Sequence, residues 1–188
     1  MIHEIREEMF DLPLEDYILT FDDGLYSQYY YYPRFRDINT EKIYFISSNI
    51  VCSGPQSTEF PTCRVAHTKA RQGVFEDYMT LAQIKELAKD PLVTIGGHGH
   101  NHVDLSETDK LIDRVKIVSN DLRSMMAWFA FHLGRIPDSF CYPYNNDLQG
   151  MYRALLIRNG FSKFYGSERV AIESLLPLHS PSPSTTVM

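Results

Sequence analysis

Short runs of consecutive apolar residues alternate along this chain with longer stretches whose apolar positions recur every three or four residues. Tyr17–Phe21 (YILTF), Lys42–Val51 (KIYFISSNIV), Leu92–Ile95, Phe140–Tyr144 (FCYPY) and Phe161–Tyr165 read as strands, rich in β-branched and aromatic residues. The stretch GLYSQYYYYPRF predicts a helix that ends before Pro33. Thr80 followed by Gln83 three residues later predicts a capping box that opens a helix through IKELAK. Ser106–Gly134 reads as the longest helix, with Leu111, Val115, Val118, Leu122, Met125 and Phe129 on one face. Ser106 and Asp109 mark its start and Gly134 its stop. Asp147–Asn159 predicts one more helix, closed by Gly160. Ser53–Arg71 is polar, with Gly54, Pro55 and Pro61, and reads as a functional loop or lid. Residues 180–188 form a turn-rich, frayed tail. With no repeat and no internal boundary, residues 1–188 read as a single α/β domain.

Composition narrows the partners. The 188 residues carry a formal net charge of −6, with no basic stripe, so a nucleic-acid partner is excluded. An aromatic content of 13% argues against a disordered acidic chain. The longest apolar run, Met125–Phe131, is far short of the roughly 20 residues that span a bilayer, so no transmembrane segment is expected. The N-terminus is acidic where a secretory leader is basic and then apolar. Cys52, Cys63 and Cys141 form no CxxC pair. Free thiols and a cytoplasmic location are the resulting expectations.

The chemistry falls at strand ends. Asp22-Asp23, the GGHGHNH segment and Tyr142–Asn145 each end or follow an expected strand, and in parallel α/β folds those ends gather at one rim. His98 and His102 share a face if the segment turns helically, and His98, His100 and His102 share one if it is extended. Either arrangement suits a divalent metal. Asp22-Asp23 supplies a carboxylate to such a site, although an acidic helix start is the competing reading.

Three segments in order, LTFDDG at 19–24, GGHGHNHVDLS at 96–106 and CYPYNND at 141–147, resemble the motifs of the polysaccharide deacetylases, the NodB-homology group or carbohydrate esterase family 4. The resemblance implies an irregular (β/α) barrel with one divalent metal at its rim. It implies Asp23, His98 and His102 as metal ligands and Asp22 as general base. The Tyr144 backbone N–H becomes the oxyanion donor, with Tyr142, Pro143 and Asn145 lining the substrate site. Zinc is the first choice of metal, with cobalt, nickel and iron also fitting the ligands. His100 takes a variable position of the motif. Cys141 stands where an arginine often steadies the catalytic Asp, and Asn145 where the motif has Gly. No segment matches the family's D-x-x-D-W. The late L-x-H motif has one candidate, which makes His179 the general acid; His67 and His132 are the other histidines available.

The expected function is metal-dependent removal of N-acetyl groups from an N-acetylated saccharide, such as an intracellular precursor of a surface polysaccharide like O-antigen. The alternatives are a metal-containing carbohydrate-binding protein with impaired turnover and a metal-dependent amidase acting on another small amide. The Tyr29–Tyr32 run reads as packing ahead of sugar stacking.

Overall fold

Five short strands, all parallel, form one sheet in the order β1 (Leu19–Phe21), β2 (Lys42–Ile46), β3 (Val93–Gly97), β4 (Ser139–Cys141) and β5 (Lys163–Tyr165). The computed structural model describes residues 1–2, 5–106 and 108–176. Each strand returns to its neighbour through helices: α1 (Tyr26–Tyr30) and α2 (Tyr32–Arg36), α3 (Cys63–Ala70) and α4 (Leu81–Leu87), α5 (Leu111–Leu133), and α6 (Met151–Arg158). Sequential strand order is the winding of a (β/α) barrel; a doubly wound sheet reverses partway. The register aligns Phe21 with Tyr44, Ile46 with Gly97, and Cys141 with Tyr165, so the residues that follow β1, β3 and β4 emerge at a common edge.

The first two residues tie the ends of the sheet together. Ile2 bridges Phe21 in parallel and donates its N–H to the Thr20 carbonyl at 2.8 Å. Ile172, beyond β5, donates to the Met1 carbonyl at 2.9 Å, and the Met1 ammonium donates to the Val170 carbonyl at 2.8 Å. The sheet therefore curls until the segment after β5 reaches β1.

Every residue of β2 is buried, as expected of a parallel strand covered on both faces. Ile43 and Phe45 join Cys141 in one cluster, while Tyr44 and Ile46 belong to the main core with Phe21, Ile95 and Phe140. Tyr44 stacks on Phe21 with ring centroids 4.4 Å apart. The α5 helix lays Val118, Leu122, Met125 and Phe129 on this core; Leu111, expected on the same face, is exposed.

Several boundaries differ from expectation. The helix after β1 is broken at Tyr31, and Pro33 sits in the first turn of α2, where its missing N–H costs no hydrogen bond. The α5 helix begins at Leu111 with no side-chain cap, so neither Ser106 nor Asp109 starts it. Gly134 ends it in the left-handed conformation, φ 68°, as anticipated. The capping box forms: Thr80 N–H donates to Gln83 Oε1 at 2.8 Å, and Gln83 N–H to Thr80 Oγ1 at 3.3 Å. The Ser53–Arg71 stretch is not all loop, because it holds α3. The tyrosine run packs and bonds, with the Tyr29 hydroxyl on Glu86 and the Tyr32 hydroxyl on Asp90. Among the described residues, no helix is long and apolar enough to cross a membrane.

Candidate metal centre

The chain leaves β1 at Asp22 and Asp23, both buried, with Asp23 (φ 75°) and Gly24 (φ 77°) in the left-handed region. This backbone aims the Asp23 carboxylate at histidines from other segments. Asp23 Oδ1 lies 3.2 Å from His98 Nε2, 3.2 Å from His102 Nε2 and 3.1 Å from His67 Nε2. Its other oxygen, Oδ2, accepts from the Cys63 thiol at 2.8 Å. His98 follows β3 directly and is fixed by donation from Nδ1 to the Cys141 carbonyl at 2.8 Å.

The loop carrying His102 is held by Asp121, a buried carboxylate on α5. Asp121 accepts from His100 N–H at 2.7 Å and from Asn101 N–H and Nδ2, each at 2.9 Å. Gly99, with φ 78°, is required beneath this clamp, because a Cβ there would stand 2.8 Å from Asp121 Oδ2. His100 turns away from the centre, its Nδ1 lying 2.7 Å from the Ser48 hydroxyl.

Asp22 faces a different partner. Arg169, beyond β5, grips it with two parallel bonds, Nη1 to Oδ1 and Nη2 to Oδ2, both 2.7 Å. The same guanidinium reaches Thr20 Oγ1 at 3.1 Å, Cys141 Sγ at 3.0 Å and Asn145 Oδ1 at 3.0 Å. A guanidinium thus stands beside Asp22 although position 141 is Cys.

Electrostatics follow from this packing. Burial pushes the Asp22 carboxyl up, but the hydrogen bonds from Arg169 and the charge of His98 outweigh it, and the net shift is down from 3.8. Burial likewise opposes ionisation of Asp23, yet the imidazoles of His102, His67 and His98 hold it well below the usual carboxylate range. Burial drives the His102 imidazole down.

Left-handed backbone gathers here as well. Asp23, His102 (φ 50°), Tyr144 (φ 57°) and Asn145 (φ 53°) are four of the six non-glycine residues with positive φ among those described. Such conformations cost about 1–3 kcal/mol each and persist where surrounding structure enforces them. Asn145 adopts the conformation for which its side chain is suited in place of Gly.

These groups line a cleft of about 490 Å³. Tyr142 and Asn145 lie on its wall, and the half-exposed Tyr144 ring stands 4.7 Å from the His102 ring. Pro143 is buried behind the wall, in the lining of a smaller neighbouring hollow. Cys63, Arg64, His67 and Thr68 form the side of the cleft supplied by α3. Among the described residues, donor atoms of Asp23, His98 and His102 lie within 4.8 Å of one another, as do those of Asp23, Cys63 and His67. The buried His67 Nε2 has no hydrogen-bond partner: its approach to Asp23 has salt-bridge distance but not hydrogen-bond geometry. The carboxylate of Asp23 and the imidazoles of His98 and His102, with the orphaned His67 nitrogen beside them, are a donor set that fits a divalent cation.

Sequence reasoning brought Asp22, Asp23, His98, His102, Tyr142, Tyr144 and Asn145 to one place, and the structure places them there. His179 lies outside the described residues. The reading missed Arg169 and Asp121, and it named His67 only as a spare histidine. An acid on the apolar face of α5, next to Leu122, is the one signal that pointed to Asp121. Nothing in the local GSERV pattern singles out Arg169.

No family model and no curated protein sequence matches the chain. Solved structures do. IcaB from Ammonifex degensii superposes with a TM-score of 0.62 at 20% identity, over 91% of this chain and 71% of that one. A de-N-acetylase from Aggregatibacter actinomycetemcomitans gives 0.61 at 14% identity, over 90% and 72%. The Streptococcus pyogenes deacetylase PplD gives 0.55 at 15% identity, over 85% and 63%. The chain has the fold of the polysaccharide deacetylases, an α/β fold of the NodB (β/α) barrel type.

Proposed function

We propose that this protein is a metal-dependent hydrolase that removes N-acetyl groups from an N-acetylated saccharide. The observation that carries this reading is the meeting of Asp23, His98 and His102 beside an arginine-held Asp22, at the strand-end rim of a polysaccharide-deacetylase fold.

Asp23, His98 and His102 would hold the cation, zinc first among the divalent metals that suit such ligands. A cation held there supplies Lewis acidity, which lowers the pKa of water and polarises a carbonyl. Asp22 takes the proton from the attacking water, and Arg169 keeps Asp22 ionised and aimed. The Tyr144 N–H donates to the oxygen of the amide carbonyl as charge develops on it. The C–N bond then breaks, releasing acetate and a free amine that leaves with the proton of a general acid, a role we give to His179. Tyr142 and Asn145 form the wall against which the sugar rests. A precursor of a surface polysaccharide is the first substrate to try, with nucleotide-linked and lipid-linked N-acetyl sugars set beside polymers.

Asp22→Asn separates turnover from binding. The reading predicts that this variant keeps its cation and its affinity for the saccharide while acetate release falls at least about 100-fold, the lower end of what a general base contributes. Undiminished release by Asp22→Asn would reject the assignment. An unaltered protein that binds saccharide and cation but releases no acetate from any substrate in the panel would favour a binding role.

A further inference from the structure

The α3 side of the cleft differs in charge from the molecule as a whole. Arg64, His67, Thr68 and Arg71 line it, and at positions i, i+3, i+4 and i+7 they form one stripe along the helix and its C-cap. The helix is fixed in this orientation from its other faces. Ala66 is buried in a cluster with Leu25, Ile50 and Tyr78, and Lys69 is paired with Glu76 at 2.9 Å and with the buried Asp77 at 3.1 Å.

The two guanidiniums of the stripe are not neutralised. Among the described residues, no carboxylate forms an ion pair with Arg64 or Arg71. Arg71 Nη2 donates to the Tyr144 hydroxyl at 3.1 Å, and Asp104 acts on Arg71 through space without pairing. The acids that line the cleft are Asp22 and Asp23. Asp22 is gripped by Arg169, and Asp23 faces the imidazoles. In a chain of net charge −6, this wall is therefore a local reversal of sign. A cleft wall of one sign focuses its field and concentrates the opposite charge.

The placement of the arginines matters as much as their charge. Seven residues of helix separate them by about 10 Å. Arg71 also lines an adjoining hollow of about 180 Å³, together with Asn49, Phe75 and Asn101. It stands where the cleft continues into that hollow, and its partner Tyr144 lies 4.7 Å, ring to ring, from His102. A group extending from the metal centre toward α3 thus meets guanidinium donors first and a partly polar compartment beyond them. The guanidinium fork matches phosphate oxygens in pairs, and two forks match the two charges of a diphosphate. A single uronate carboxylate would engage one.

We propose that Arg64 and Arg71 form a subsite for a diphosphate, so that the substrate is an acetamido sugar carried on a diphosphate ester whose far group enters the hollow. The inference rests on the cleft being a deacetylase site and narrows what that site takes. The Thr68 hydroxyl is committed to the Arg64 carbonyl at 2.9 Å, so the charge of the subsite comes from the two arginines.

The test follows acetate release by the full chain loaded with Zn²⁺. N-acetylglucosamine and N-acetylgalactosamine are each presented as a methyl glycoside, a neutral oligomer, a nucleoside diphosphate ester and a short polyprenyl diphosphate ester. A diphosphate ester should exceed the methyl glycoside in kcat/KM by at least about ten-fold, the low end for hydrogen bonds to charged groups, chiefly through KM. Added salt should shrink that advantage by screening. The double variant Arg64→Gln with Arg71→Gln, its fold checked by circular dichroism, should bring the ratio toward one. The better of the two diphosphate esters identifies the carrier. Equal rates for charged and neutral forms, or faster release from a neutral one, would overturn the proposal and leave the deacetylase reading standing. A diphosphate preference that survives in the double variant would also overturn it. No release from any form would overturn the parent reading together with this one.

Discussion

Arg169 and Asp22 form a nearly dry ion pair, with side chains 7% and 11% exposed. Its two bonds span 147 positions of sequence. Removing one partner of a buried pair strands the other charge and costs about 3–5 kcal/mol. Arg169→Met should therefore destabilise the protein by about that amount at neutral pH, read by urea denaturation. The pH dependence has a definite sign. Asp22 has a depressed folded pKa, so its contribution is present above the ordinary value of 3.8 and is lost as pH falls through the folded value. The gap between the two proteins should thus narrow below about pH 4; a gap independent of pH would contradict the pairing. A second residue-scale prediction concerns Asp121, which satisfies three donors of the histidine loop. Asp121→Ala should cost about 1–3 kcal/mol and weaken cation binding, because unmet buried donors carry a desolvation penalty. A calorimetric melt and a Co²⁺ titration check both parts.

At the scale of elements, the second strand-end motif depends on two glycines in β3. A Cβ on Gly96 would stand 2.6 Å from the Phe45 ring, and one on Gly97 would stand 2.7 Å from Met125 Sδ. These gaps let β2 and α5 close on β3 and set the angle at which His98 leaves the strand. Gly97→Ala should destabilise by about 1–3 kcal/mol through overpacking. Truncating Met125 as well should recover part of that loss, and strict additivity of the two changes in denaturation would contradict the contact. Elements of this kind were legible where the signal is local. The Thr80–Gln83 cap, the Gly134 stop and the strands of β-branched and aromatic residues are short-range patterns, and so are the paired acids and the H-x-x-x-H. The break at Tyr31 was missed because a proline ends one helix as readily as it begins the next. Helix α3 was missed because Pro61 and a polar run mask a short helix held by Ala66 and its charged partners.

For the molecule as a whole, the site exists only when the sheet curls. Asp22 lies after the first strand and Arg169 after the last, and the Met1–Ile2 segment ties those two ends together. No window of sequence contains that relation, which is why the three motifs were visible and the guanidinium that supports them was not. The same closure explains how a fold shared at 14–20% identity with IcaB and the Aggregatibacter de-N-acetylase can hold its rim with an arginine at position 169 while position 141 is Cys. The central claim is hydrolysis of an N-acetyl group with the help of a bound cation. Acetate release from a panel of N-acetylated saccharides, before chelation, after chelation and after return of Zn²⁺ or Co²⁺, tests it most directly. Chelator should abolish the release, and the returned cation should restore it. Release that survives complete removal of the cation, or none from a cation-loaded protein across polymer, lipid-linked and nucleotide-linked substrates, would contradict it.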